Sequence, residues 1–181
     1  MGALLRRIFH AFGAHSWIGE PGLVVRHYAP KPQNWPQDLT LRIAMLSDFH
    51  IAEPWTGLDA LETIVEKANA LQPDIVLLVG DFEEGPRFSR HLPPSDWAPV
   101  LAKLKSPLGT FAVLGNHDYP RIARKRHRAL PAPAAMGALE AVGIRTLINE
   151  AIPLQWNEKT FWLLGLGDQI AEFEDGRSLA D

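Results

Sequence analysis

The sequence predicts an α/β fold built on a mostly parallel sheet with flanking helices. Three observations carry that reading. Short apolar runs at 41–47, 74–80 and 110–115 have the length and composition of buried strands. Amphipathic stretches with helical spacing lie between them, at 57–72 and 95–106. Strands alternating with helices at this interval imply βαβ crossovers, which set neighbouring strands parallel.

Residues 1–18 read as an amphipathic or disordered segment. An export signal needs about 7–15 uninterrupted apolar residues, and His10 and His15 interrupt this one. A peripheral contact with a membrane surface and a frayed terminus both fit it. No run approaches the roughly 18 apolar residues of a transmembrane helix. Residues 19–181 read as one domain. It opens on a short strand at Leu23–Tyr28 and an extended lead-in set by Pro30, Pro32 and Pro36.

The regular elements follow. "LRIAMLS" (41–47) is the first β-run. In 57–72, Leu58, Leu61, Ile64 or Val65, Ala68 and Leu71 form one helical stripe, Thr56 with Asp59 resembles a capping box, and Pro73 ends the helix. "DIVLLVG" (74–80) is apolar at every position after the first, which suits a strand covered on both faces. The 95–106 helix takes Ser95 as its N-cap and turns Trp97, Val100, Leu101 and Leu104 inward. "TFAVLG" (110–115) is the third strand. A helix over 134–143 stops at Gly143, and strands are expected at 144–148 and 160–168. Residues 169–181 are polar and weakly structured.

A chain that is 46% hydrophobic and 22% charged is globular in composition, and a net charge of −3 announces no nucleic-acid partner. Without cysteine there is no disulfide, no thiolate ligand and no cysteine nucleophile. That fits a reducing compartment. The expected location is cytoplasmic, peripheral at the inner membrane if the first segment meets lipid.

Each of the first three strands ends in a polar cluster. "SDFH" gives Asp48 and His50, "GDFEE" gives Asp81, and "GNHD" gives Asn116, His117 and Asp118. Ligands of open α/β sheets bind outside the carboxyl ends of the strands. Carboxylates converging there repel each other and are costly to bury, and a cation resolves the conflict. Carboxylate, imidazole and amide oxygen suit Mn, Fe or Zn. Gly80 and Gly115, just before two of these residues, let the backbone turn closely. Each cluster alone reads as an ordinary strand-end turn. The conjunction, with Asp81 31 residues after His50 and Asn116 35 after Asp81, reads as a metal site. Glu83 and Glu84 read as exposed loop residues, and the basic run at 121–128 as a solvated helix face or a collector of anions.

These motifs, with the "IGEPGLVVRHY" lead-in and the "GIRTLINE…FWLLGLGD" stretch, resemble the calcineurin-like metallophosphoesterase superfamily. The similarity is to the bacterial subgroup that includes YkuE-like and YaeI-like proteins, over roughly residues 19–168. It implies the N-terminal half of an α/β/β/α sandwich and a metal-dependent phosphodiesterase or phosphomonoesterase. It implies two divalent metal ions (Mn, Fe or Zn), with Asp48 and His50 on the first, Asp81 bridging, and Asn116 on the second. A hydroxide bridging the metals would be the nucleophile on a phosphate-ester substrate. His117 would act as general acid or electrostatic partner of the phosphoryl group, and Asp118 would hydrogen-bond His117 to hold its tautomer.

The chain departs from the family after that point. The full pattern continues with an H-x-P histidine and a G-H-x-H, whereas no histidine follows His127 here. The second metal keeps only Asp81 and Asn116, so the domain reads as incomplete at its C-terminus and weak or inactive as written. The alternative is a non-catalytic binding or scaffold module on a degenerate phosphoesterase fold. A nuclease would need a basic groove, and none is evident.

Overall fold

The apolar runs become strands and the amphipathic stretches become helices. The computed structural model describes residues 23–36, 38–119 and 133–168. In chain order the elements are β1 (Ile43–Leu46), β2 (Ala52–Glu53), α1 (Leu58–Ala70), β3 (Ile75–Val79), β4 (Arg90–His91), α2 (Pro94–Leu101), β5 (Thr110–Val113), a 3-10 turn (Asn116–Asp118), α3 (Ala134–Ala141), β6 (Arg145–Thr146), β7 (Glu150–Trp156) and β8 (Lys159–Gly165). The main sheet has the order β1-β3-β5-β6, and every neighbouring pair is parallel. The expectations for residues 1–18, 121–128 and 169–181 lie outside the described residues.

The helices share one face of that sheet. Ala44, Val76, Leu78 and Ala112 point from the strands into a core filled by Leu61 and Val65 of α1, Trp97 and Leu101 of α2, and Leu139 of α3. The opposite face is covered only in part. Ile43 and Met45 alternate with Ala44 on β1 and stand 46% and 67% exposed, and Val79 of β3 is exposed too. The two-sided burial expected for β3 therefore holds at Ile75 and Val76 and fails at its carboxyl end.

Several sequence expectations are corrected. Leu23–Tyr28 is no strand: no sheet edge pairs with it, and Val24 and Tyr28 stand in solvent. Helix α1 starts at Leu58 with Gly57 at the cap position and no side-chain cap, because Thr56 pairs with Ile51 and Ala52 in a small bridge. Helix α2 starts at Pro94, not after Ser95, and ends at Leu101, where Ser106–Gly109 turns begin the approach to β5. Its inward set of Trp97, Val100, Leu101 and Leu104 is buried as expected. The 160–168 run does not join the parallel sheet. It pairs antiparallel with β7, a strand the sequence reading passed over, through a two-residue turn at Asn157–Glu158. Both turn residues are left-handed, with φ of 49° and 62°, which matches the twist of a tight hairpin. A Lys159–Asp38 ion pair and the Trp35–Phe161 ring contact tie the hairpin to the lead-in.

One packing feature sits directly under the carboxyl ends of the strands. Phe49 stacks on Phe82 with centroids 5.4 Å apart, and Phe82 stacks on Trp97 at 5.5 Å. All three rings are buried. The central ring is flanked on both sides, so its removal leaves a cavity that cannot easily collapse. Phe82→Ala is expected to destabilise the chain by about 3–5 kcal/mol, measured as a lowered urea midpoint at unchanged slope.

Candidate metal centre

β1, β3 and β5 are adjacent and parallel, so their carboxyl ends lie side by side. Backbone pairing runs on past β1 and β3. Asp48 N–H donates to Gly80 O (3.2 Å), His50 N–H to Asp81 O (3.0 Å) and Ile51 N–H to Phe82 O (2.7 Å). This pairing holds the first cluster against the second. Phe49 and Phe82 turn into the core, and the polar residues beside them face outward. Asp48, His50 and Asp81 have left-handed backbone, with φ of 56°, 43° and 57°. As a result one oxygen of Asp48, one ring nitrogen of His50 and one oxygen of Asp81 all lie within 4.8 Å of one another.

The third strand end is brought in by two glycines. A Cβ on Gly80, whose φ is +77°, would lie 2.4 Å from Gly115 N, and a Cβ on Gly115 would lie 2.3 Å from Asp81 Oδ1. Any side chain at either position would separate the two loops. With none, His117 N–H donates to Asp81 Oδ1 at 3.1 Å. Gly115 and His117 flank Asn116, so the Asn116 backbone runs past the Asp81 carboxylate.

Asp118 does not take the position expected of it. Its carboxylate is 2% exposed and turns away from the His117 ring. Oδ1 accepts N–H from Phe82 (2.8 Å) and Glu83 (3.1 Å), and Oδ2 accepts N–H from Asp81 (3.0 Å) and Gly115 (2.9 Å). Burial pushes this carboxyl above its ordinary range and the Asp81 charge adds to the push, while the donors from Gly115, Glu83 and Phe82 pull it down. The expected Asp118–His117 hydrogen bond is thus replaced by a clamp on two loops.

The partner of His117 is Glu84, with Nδ1 to Oε2 at 2.7 Å. Glu84 is partly buried, not the exposed loop residue expected. Two consecutive acids directly after Asp81 were the available signal. Which of them turns inward depends on a left-handed backbone at Glu84 (φ 54°), which nothing in its residue type announces. Glu83 is half-buried as well. Burial raises its pKa, and the charges of Asp118 and Glu84 raise it further.

His50 is oriented by backbone. Its Nδ1 lies 3.1 Å from Glu83 O and 2.9 Å from Glu84 O. Both are acceptors, so Nδ1 carries the proton and Nε2 is left with a lone pair, as in metal-binding histidines whose outer nitrogen is held by a carbonyl. The His50 and His117 rings meet edge to face, with centroids 5.0 Å apart. Ser47 Oγ lies 2.5 Å from Asp48 Oδ2. Acidic side chains thus crowd around two imidazoles. Hard oxygen donors with one imidazole nitrogen fit a divalent cation of the Mn, Fe or Zn kind, and such a cation would offset their mutual repulsion.

The family model for calcineurin-like phosphoesterases matches residues 41–176. An uncharacterized metallophosphoesterase of Aquifex aeolicus is 29% identical over 143 residues, 78% of this chain and 49% of that protein. The phosphodiesterase YaeI of Escherichia coli is 30% identical over 128 residues, 70% of this chain and 43% of that one. The uncharacterized metallophosphoesterase YkuE of Bacillus subtilis is 32% identical over 78 residues, 43% of this chain and 26% of its own. The chain spans about half, or less, of the length of these curated relatives. With its strand-end acids and imidazoles gathered on a parallel sheet, the chain belongs to the calcineurin-like phosphoesterase family, in the subgroup of YaeI and YkuE.

Proposed function

We propose that this chain carries a metal-dependent phosphoesterase site acting on a phosphodiester or phosphomonoester. The observation that carries the reading is the convergence of Asp48, His50 and Asp81 within 4.8 Å, beside a His117 held by Glu84. Asp48, His50 and Asp81 would hold one divalent ion, and Asp81 with Asn116 would face a second. Bound divalent ions supply positive charge that lowers the pKa of water and offsets charge on the phosphoryl oxygens.

The protein's own groups do the positioning. Glu84 fixes His117 Nδ1 as the protonated nitrogen, which directs Nε2 at the ester. There a protonated imidazole hands its proton to the departing alkoxide, or pairs with a phosphoryl oxygen. Asp118 acts through the backbone, by holding Asp81 and His117 in register. Among the described residues the second ion would find the oxygen donors of Asp81 and Asn116, so the expected turnover is weak.

Two expectations test the reading. Calorimetric titration with MnCl2 should show binding that Asp81→Ala abolishes, with bis-(p-nitrophenyl) phosphate turnover by the unaltered chain barely above background. Equal Mn affinity in both proteins would refute the proposed ligand set, and robust turnover would refute the weak activity. Asp118→Asn keeps the shape but turns an amide N–H2 toward backbone donors. It should lower stability by about 2–4 kcal/mol, since buried N–H groups left without acceptors cost about 1–3 kcal/mol each. Urea denaturation measures that loss, and a change below about 0.5 kcal/mol would rule out the clamp.

A further inference from the structure

The loop that leaves the site, residues 84–91, is tied down at both ends. Glu84 holds His117 through its side chain and His50 through its carbonyl oxygen. Gly85 is pressed onto β2: a Cβ there would lie 2.4 Å from Ala52 Cβ and 3.4 Å from His50 O. Pro86 O accepts Ser89 N–H at 3.2 Å and Ser89 Oγ at 2.6 Å. Arg90 pairs with Glu53 at 2.6 Å, and the β2–β4 pairing closes the loop.

These ties leave two neighbouring side chains in solvent. Arg87 is exposed and makes no ion pair among the described residues. Phe88 is 98% exposed and sits at φ +65°. A single exposed apolar residue carries no message by itself. A bulky residue at positive φ is an outlier, however, and such strain gathers at ligand-binding sites. Glycine at this position would remove both the strain and the wet ring. The placement adds to this. Three residues span at most about 11 Å, so the Phe88 backbone stands within that distance of Gly85, which abuts the His50 backbone.

We propose that Phe88 and Arg87 form a specificity rim for the phosphate ester. Phe88 packs on an apolar alcohol group attached to the phosphate, and Arg87 draws in the anionic charge. The substrate class is an ester of a long-chain or aromatic alcohol, not of a small polar one. This inference rests on the phosphoesterase reading above.

The test is a binding measurement that needs no turnover. The full chain is titrated calorimetrically with octylphosphonate and with methylphosphonate in the presence of MnCl2, and its melting temperature is recorded. The unaltered chain should prefer octylphosphonate by about tenfold, the equivalent of ~1.4 kcal/mol. Phe88→Gly should bring the two affinities within about twofold, leave methylphosphonate binding unchanged, and hold or raise the melting temperature. Phe88→Trp should keep the preference, and Arg87→Gln should weaken both ligands alike, more so at low salt. An octyl preference as large in Phe88→Gly as in the unaltered chain would overturn the inference. So would a lowered melting temperature with both ligands weakened equally, which marks a structural ring. If methylphosphonate binds to none of the proteins, the metal-centre reading itself falls, and that outcome is separate from a lost chain-length preference.

Discussion

The site depends on one buried carboxylate. The loops after β3 and β5 each turn sharply out of the sheet, and that turn strips backbone N–H groups of ladder partners. Four such groups, from Asp81, Phe82, Glu83 and Gly115, point into one buried volume. An ionised carboxylate offers about four acceptor positions, so Asp118 satisfies all of them at once. No neutral side chain of similar size has that capacity. Because Asp81 is itself one of the donors, the clamp also fixes the backbone that presents the Asp81 side chain. His117 follows, since its own N–H returns to Asp81 Oδ1. Ligand placement and loop satisfaction are therefore a single hydrogen-bonded unit.

That unit needs a floor, and the aromatic stack provides it. Phe49 lies between Asp48 and His50, and Phe82 directly follows Asp81. With these rings stacked on each other and on Trp97, the alternating side chains have no freedom to exchange faces. Slipping the chain by one residue would send a phenyl ring into water and a carboxylate into the core. Both changes are expensive, so the pattern D-F-H followed by D-F specifies direction as well as position.

How much of this was legible in the sequence differs by residue. β1, β3 and β5 were readable because their core-facing positions are apolar and their ends are punctuated by Gly80 and Gly115. The convergence of Asp48, His50 and Asp81 was readable from the parallel order that the helices impose. The roles of Asp118 and Glu84 were not. The resemblance implies that Asp118 bonds His117, but on a 3-10 turn with three residues per turn neighbouring side chains diverge by about 120°. Glu84 reaches His117 across 33 residues, a contact set by loop dihedrals. The β7–β8 hairpin was misjudged for a related reason. An apolar run such as "TFWLLG" looks the same in a parallel or an antiparallel strand, and Asn157-Glu158 lacks the glycine that usually marks a two-residue turn.

Backbone strain explains why this arrangement is not simply a stable turn. Asp48, His50, Asp81, Glu84 and Phe88 are all left-handed, a conformation that costs most residues roughly 1–2 kcal/mol each. Glycine or asparagine would relieve much of it. The geometry shows what the strain achieves. Along a regular strand, residues two apart project the same way with about 6.6 Å between them, too far apart for Asp48 and His50 to share an ion easily. Left-handed backbone at both positions tips the side chains together, and the same turn at Asp81 brings a third donor in from the neighbouring strand. The acids that repel at this point are thus held there by dihedrals that also disfavour it. The repulsion is offset when positive charge occupies the space between the donors, so the left-handed backbone at Asp48, His50 and Asp81 lies where a divalent cation would be bound.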